Sequence, residues 1–241
     1  MNHQSEILEE KSELDENKKR QAQFLYLALA GMFIALLVSC NLIFQKFISW
    51  EPFGLYTFEI SVGLIPYPIT FLVTDLISEI YGRKRANDVV KVGLLATVLI
   101  IGVIALADIA PALPASPVNN EQFSHVFGFT FIAVAASMIA YLLAQFVDIR
   151  VFHFWKELTK GKHLWLRNNF STITSQLLDT LSVLLLLCAF KVLPWEIFPT
   201  LFFSGFLFKV VIAALDTPLF YLFTFWIKRY FGLEENEELK I

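Results

Sequence analysis

The chain has little with which to do redox or metal chemistry, because 241 residues hold only two cysteines and four histidines. Cys40 and Cys188 fall inside apolar runs without CxxC spacing, so they read as packed thiols and no disulfide is expected. His3, His125, His153 and His163 are too scattered for a metal site, and neither HExxH nor GxSxG occurs. The first twenty residues mix six acids with four bases and lack the apolar core of a cleaved signal peptide. A formal charge of −3, with the acids gathered in the two tails, gives no support to nucleic-acid binding. No metal, cofactor or nucleic-acid partner is expected.

What the chain does have is apolar residues. A soluble domain averages about 45 to 50%; here 56% are hydrophobic, mean hydropathy is +0.61, and there are 25 Phe. That balance implies an all-α, multi-pass integral membrane bundle. Six transmembrane helices with short connections use nearly the whole length, leaving no room for a soluble catalytic domain. The expected division is a cytosolic polar tail (1–22), a six-helix transmembrane domain (23–231) and an acidic cytosolic tail (232–241). Sixteen basic residues fall in the segments taken as inner, against Lys46 and Lys191 outside and Lys209 within a span, which places both termini in the cytoplasm.

The most telling stretch is Leu164 to Ser182. Eight of the twelve residues from Ser171 to Ser182 are Ser, Thr, Gln or Asp, yet the next eight are apolar. At helical spacing Asn168, Thr172, Ser175, Asp179 and Ser182 form one stripe, which must look into the protein. Asp179 lies about 13 Å along the axis from Phe170, near the middle of a hydrocarbon core about 30 Å thick. A lone carboxylate there costs about 2.5 to 3.5 kcal/mol, so it needs a partner or a cavity. Lys209, near mid-depth in the last span (about Leu201 to Ile227), is the natural counter-ion. The pair either serves a pathway or only holds two helices in register.

The other spans add candidates. The first, about Phe24 to Phe44, carries Gly31 and Ala35 as a close-packing pair and Asn41 near its outer end, a ligand for substrate or merely a helix bridge. The second, about Leu55 to Tyr81, contains Pro66 and Pro68, which predict a kink or an unwound segment. Such breaks occur beside transporter sites or simply where a bend suits packing. Beyond it, Asp75 and Glu79 share a face, Glu79 interfacial and Asp75 deeper. The third, about Val89 to Ala110, is scaffold. The fourth, about Phe127 to Val147, has an Ala136/Ala140/Ala144 seam, with Gln145 and Asp148 meeting at its inner end. Pro218, after Asp216 and Thr217, predicts a further local break.

Four blocks carry a resemblance: FLVTDLISEIYGRKRA (Phe71 to Ala86), AQFVDIRVF (Ala144 to Phe152), LWLRNNFSTITSQLLDT (Leu164 to Thr180) and FKVVIAALDTPLFY (Phe208 to Tyr221). In order and spacing they resemble the queuosine precursor transporter family, also called the vitamin uptake transporter family. The likeness runs from about Phe24 to Ile227. It implies uptake of 7-deazaguanine bases, such as the cyano or aminomethyl form, across the bacterial cytoplasmic (inner) membrane for tRNA modification salvage. The positions matching the family's polar pattern are Asn41, Asp75, Gln145, Asp148, Asp179 and Lys209.

The chemistry of such a base is consistent with those residues. Carboxylates such as Asp75 or Asp179 suit its donor edge. Lys209, Asn41 or Gln145 suit its carbonyl, and rings such as Tyr67 and Phe71 suit its face. The alternatives are a substrate-binding membrane subunit of an energy-coupled vitamin importer and, less favoured, an intramembrane enzyme built on an acid pair. The expected partners are a nucleobase-like solute and the lipid bilayer, with a homodimer or an energising partner left open.

Overall fold

The computed structural model describes residues 3–44, 46–54, 56–128, 131–160, 162–191, 193–234 and 237–239. Leu55, the side chains of His3 and Ala136, and two of the sixteen basic residues counted as inner, Lys240 and the side chain of Lys11, lie outside the described residues. In chain order the elements are α1 (His3–Ile43), β1 (Phe47–Trp50), β2 (Phe58–Ser61), α2 (Tyr67–Ile109), α3 (Asn120–Phe123), α4 (Phe131–Leu158), α5 (Leu164–Ala189) and α6 (Phe198–Phe231). Among the described residues five helical stretches are long and apolar enough to cross a membrane: Glu16–Ile43, Val62–Ile109, Met138–Leu158, Leu164–Ala189 and Trp195–Phe231.

The expected second and third spans form one helical run that turns at Gly82, whose backbone (φ 82°, ψ 168°) leaves the helix. Only glycine adopts that conformation without strain, so it divides α2 into arms 67–81 and 83–109. Pro66 and Pro68 do not kink a helix as expected. Pro66 caps α2 and Pro68 sits in its first turn, where a missing N–H costs nothing. Phe58 to Ser61, assigned to the second span from sequence, instead pair with Phe47 to Trp50, a stretch between the first two expected spans, in an antiparallel hairpin that sets Phe47 against Ser61 and Trp50 against Phe58.

Arm 67–81 is the centre of the molecule. From Tyr67 to Gly82 every residue but Ile69 is buried. At about 1.5 Å per residue it is roughly 22 Å long, shorter than a bilayer core. Phe33 and Leu37 of α1 pack on arm 83–109 at Gly93, where an added Cβ would lie 2.8 Å from the Phe33 ring. Tyr141 and Gln145 of α4 donate to Thr70 Oγ1 (2.8 Å) and Thr74 Oγ1. Both partners advance by four residues, so α4 and the arm run side by side in the same direction.

Two further expectations change. Gly31 and Ala35 face outward, and a Cβ at Gly31 would meet nothing within 4 Å, so no backbone among the described residues packs there; Ala140 and Ala144 are fully buried. α6 continues through Pro218 without a break; the Thr217 hydroxyl donates to the Ala213 carbonyl (3.1 Å) one turn back. The first twenty residues are helical from His3, continuous with the first span.

Candidate functional site

The polar stripe of α5 does turn inward. Asn168, Thr172, Ser175 and Asp179 are buried and Ser182 is half-buried, while Ile173, Leu177, Leu181 and Leu185 form the outward stripe at four-residue spacing. Arg167, Ser171, Gln176 and Thr180 are buried beside it.

Asp179 meets Lys209 of α6 at 2.5 Å, as depth alone predicted. The Lys209 ammonium also donates to Thr180 Oγ1 (3.0 Å) and stands 4.7 Å from the centre of the Tyr67 ring. An ammonium has three donors, and here two meet oxygens and one side meets a π face. The Tyr67 hydroxyl faces Asp179 without completing a hydrogen bond.

This group forms the floor of a cavity of about 360 Å³, within the range of small-molecule sites. Cys40, Asn41 and Phe44 of α1 line one side, Val183, Leu184 and Leu187 of α5 another, and the hairpin with Gly63 and Leu64 the mouth. Gly63 is needed for that closure: a Cβ there would come within 2.6 Å of the Cys40 carbonyl and 2.9 Å of Phe44 Cα. Asn41 Nδ2 donates to the Leu37 carbonyl (2.7 Å) one turn back. Trp50, Phe58 and Phe208 stack edge and face with centres about 6 Å apart, fixing the hairpin to α6.

Of the residues singled out from sequence, Asn41, Tyr67, Asp179 and Lys209 line this cavity. Phe71, Asp75, Gln145 and Asp148 do not, so the single shared hollow expected from sequence is not what the chain builds. Phe71 packs its ring on Tyr67 and Tyr141 at 5.5 and 5.7 Å. Gln145 and Asp148, expected to meet each other, turn to different neighbours: Gln145 to Thr74, and Asp148 to the Ser175 hydroxyl (2.8 Å) and Asp75. A second, much smaller cavity of about 10 Å³ borders Phe71, Asp75, Asn168, Thr172, Gln176 and Asp216, and Lys209 lines both hollows.

Sequence reasoning missed Glu59, Tyr141 and Thr180 on the cavity wall. Glu59 carried a signal, because Phe58, Glu59 and Ile60 alternate buried, exposed, buried as a half-buried strand does. It also missed a charge cluster at the end away from the hairpin. Glu79, only 1% exposed, holds Arg167 and Lys228 at 2.6 Å each and Lys156 at 3.7 Å. Arg167, counted among loop cations from sequence, is 2% exposed. Glu238 and Leu239 close over this cluster: Leu239 N donates to the Ile80 carbonyl (2.7 Å) and Glu238 pairs with Lys156 at 3.2 Å.

The comparisons agree with a transport architecture. A family model described as "Putative vitamin uptake transporter" matches residues 61–223. The chain is 26% identical over 172 residues to the "Probable queuosine precursor transporter" of Bacillus subtilis (strain 168), covering 71% of this chain and 73% of that protein. It is 28% identical over 131 residues to the "Queuosine precursor transporter" of Escherichia coli (strain K12), covering 54% and 56%. The "Probable queuosine precursor transporter" of Haemophilus influenzae is 26% identical over 52% of this chain and 50% of its own length. The chain thus spans only about half of the last two relatives. No solved structure matches it.

Proposed function

The chain belongs to the vitamin uptake transporter family, and on that premise we propose that it imports queuosine precursors for tRNA modification. The solutes are 7-deazaguanine bases, such as the cyano or aminomethyl form, and the membrane is the bacterial cytoplasmic one. The observation that carries this reading is the Asp179 and Lys209 pair on the wall of a cavity of about 360 Å³. A neutral, flat, polar ring needs both an acceptor and a donor at fixed places, and a buried ion pair offers both at once. Asp179 and Glu59 take the amino and ring N–H edge, Lys209 takes the carbonyl, Asn41 supplies a further polar contact, and Tyr67 and Tyr141, packed edge to face on each other at 5.0 Å, give the ring an aromatic wall on one side. Asp75, Gln145, Asp148 and Phe71 support this set from behind.

Six crossings are the arrangement we favour, with arm 67–81 the shortest and both tails, 1–22 and 232–241, in the cytoplasm around a transport domain of 23–231. The basic residues near Gly82 and the Glu79 cluster would then lie inward and the hairpin outward. Family membership describes transport, and no catalytic role is assigned.

The test is rescue of a bacterium unable to make its own precursor. Expression of this chain with supplied 7-cyano-7-deazaguanine should restore queuosine to tRNA, and Lys209→Ala should not. Uptake by the purified chain alone in liposomes separates a self-sufficient carrier from a binding subunit that needs an energising complex.

A further inference from the structure

Behind the proposed substrate cavity lies a second polar centre that the ring-binding role does not use. Asp75 of arm 67–81 and Asp148 of α4, 1% and 0% exposed, face each other across the helix contact. Ser175 Oγ donates to Asp148 Oδ1 (2.8 Å), although the Thr172 carbonyl lies as a rival acceptor at 3.0 Å. Asp75 Oδ1 and Asp148 Oδ2 have no hydrogen-bond partner among the described residues. The same holds for Asn168 Oδ1 and Gln176 Oε1, whose side chains are 4% and 2% exposed and line the small cavity beside Asp75.

We infer that Asp75 and Asp148 form a proton-binding site that couples transport to a proton gradient. Two carboxylates in contact and shielded from water cannot both stay ionised at ordinary cost, so such pairs share one proton. The nearby cation does not remove the need: Arg167 is committed to Glu79 at 2.6 Å, and its field reaches Asp75 as well. The adjoining space, about 10 Å³, is at the lower limit for a single water. That leaves no room for a hydrated cation, whereas a proton needs no volume; a dehydrated sodium ion is the rival occupant, and the gradient experiment below separates the two. The O–H bond forms on one carboxylate oxygen and hydrogen-bonds to the other. It breaks when the proton leaves inward.

Coupling runs through Lys209, which lines both cavities. Asp216 and Arg167 face the same region from α6 and α5. A ligand carbonyl that draws the Lys209 ammonium toward the larger cavity takes positive charge away from the carboxylate pair. Less positive charge favours the protonated pair, so ligand and proton bind together, as symport requires. This coupling rests on the substrate reading above, whereas the proton site itself does not.

Two arms test it. The purified protein in lipid at neutral pH should show an infrared protonated-carboxyl band, shifted by deuterium and diminished in Asp148→Asn. A wild type without that band, or a band untouched by both Asp148→Asn and Asp75→Asn, overturns the site. In liposomes, labelled 7-cyano-7-deazaguanine should accumulate under an inward proton gradient and not under a sodium gradient, and Asp148→Asn should remove the gradient dependence. Accumulation driven by sodium, or uptake indifferent to both gradients, overturns the coupling. A band without any uptake of the base overturns the substrate reading and leaves the proton site standing. Should both Asp variants fail to fold, Ser175→Ala, which deletes the donor to the Asp148 carboxylate, should raise the pH of half-maximal uptake by about one unit; no shift counts against the site.

Discussion

Arg167 Nη2 and Glu79 Oε2 lie 2.6 Å apart, both almost wholly enclosed, and this contact ties the start of α5 to the end of arm 67–81. Three cations converge on the one Glu79 carboxylate. Removing the acid therefore leaves buried positive charge unopposed, whereas removing one cation leaves others in place.

Glu79→Gln should thus destabilise by about 3 to 5 kcal/mol, and Arg167→Met by less. The double variant should fall short of the sum because the two changes act on one interaction. Thermal unfolding in detergent, followed by the fluorescence of the five tryptophans, checks the order. Equal losses in both single variants would contradict it.

Lys209→Met should reduce precursor uptake about tenfold to a hundredfold, the scale of a lost charged hydrogen bond of about 1.5 to 3 kcal/mol. Asp179→Asn should do the same. Combining them should recover thermal stability, since neither charge is then stranded, without recovering uptake. Initial rates of labelled base entering liposomes give the first number and melting temperatures the second.

Glu59→Gln should raise the concentration for half-maximal uptake about tenfold and leave stability nearly unchanged. Glu59 is exposed on β2, so its loss disturbs no core. A charged acceptor becomes a neutral one, worth about 1.4 kcal/mol at the ligand. A saturation curve for the base measures it.

Gly63→Ala should lift the hairpin from α1, because the new Cβ meets backbone atoms of Cys40 and Phe44 that cannot move aside cheaply. The expected cost is about 1 to 3 kcal/mol, with uptake reduced more than stability suggests. Proteolysis at the hairpin, faster in the variant than in the parent, reports the opening.

Much of α5 was legible in sequence. Its polar residues recur at helical spacing, a bilayer makes an inward face the only tolerable one for them, and the depth of Asp179 selected Lys209 as its partner. The hairpin was not legible, because β1 and β2 are only four residues each and β2 is apolar enough to pass for the start of the second span. Pro66 and Pro68 then imitated a broken helix where they in fact begin one. Glu79 was seen at an interface, but its partners Arg167 and Lys228 come from distant segments, and spacing along the chain says nothing about which loop cation is drawn inside. The division of the polar residues into two hollows was hidden for the same reason. It depends on which neighbour each of Asp75, Gln145 and Asp148 meets across a helix contact.

Arm 67–81 has a consequence for how the protein is made. A segment about 22 Å long has too little length to settle alone in lipid as it leaves the ribosome. It must wait for α4 and α6 to offer Thr74, Asp75 and Glu79 their partners. On the six-crossing arrangement proposed above, insertion of this chain is therefore a collective event, completed only when α6 arrives.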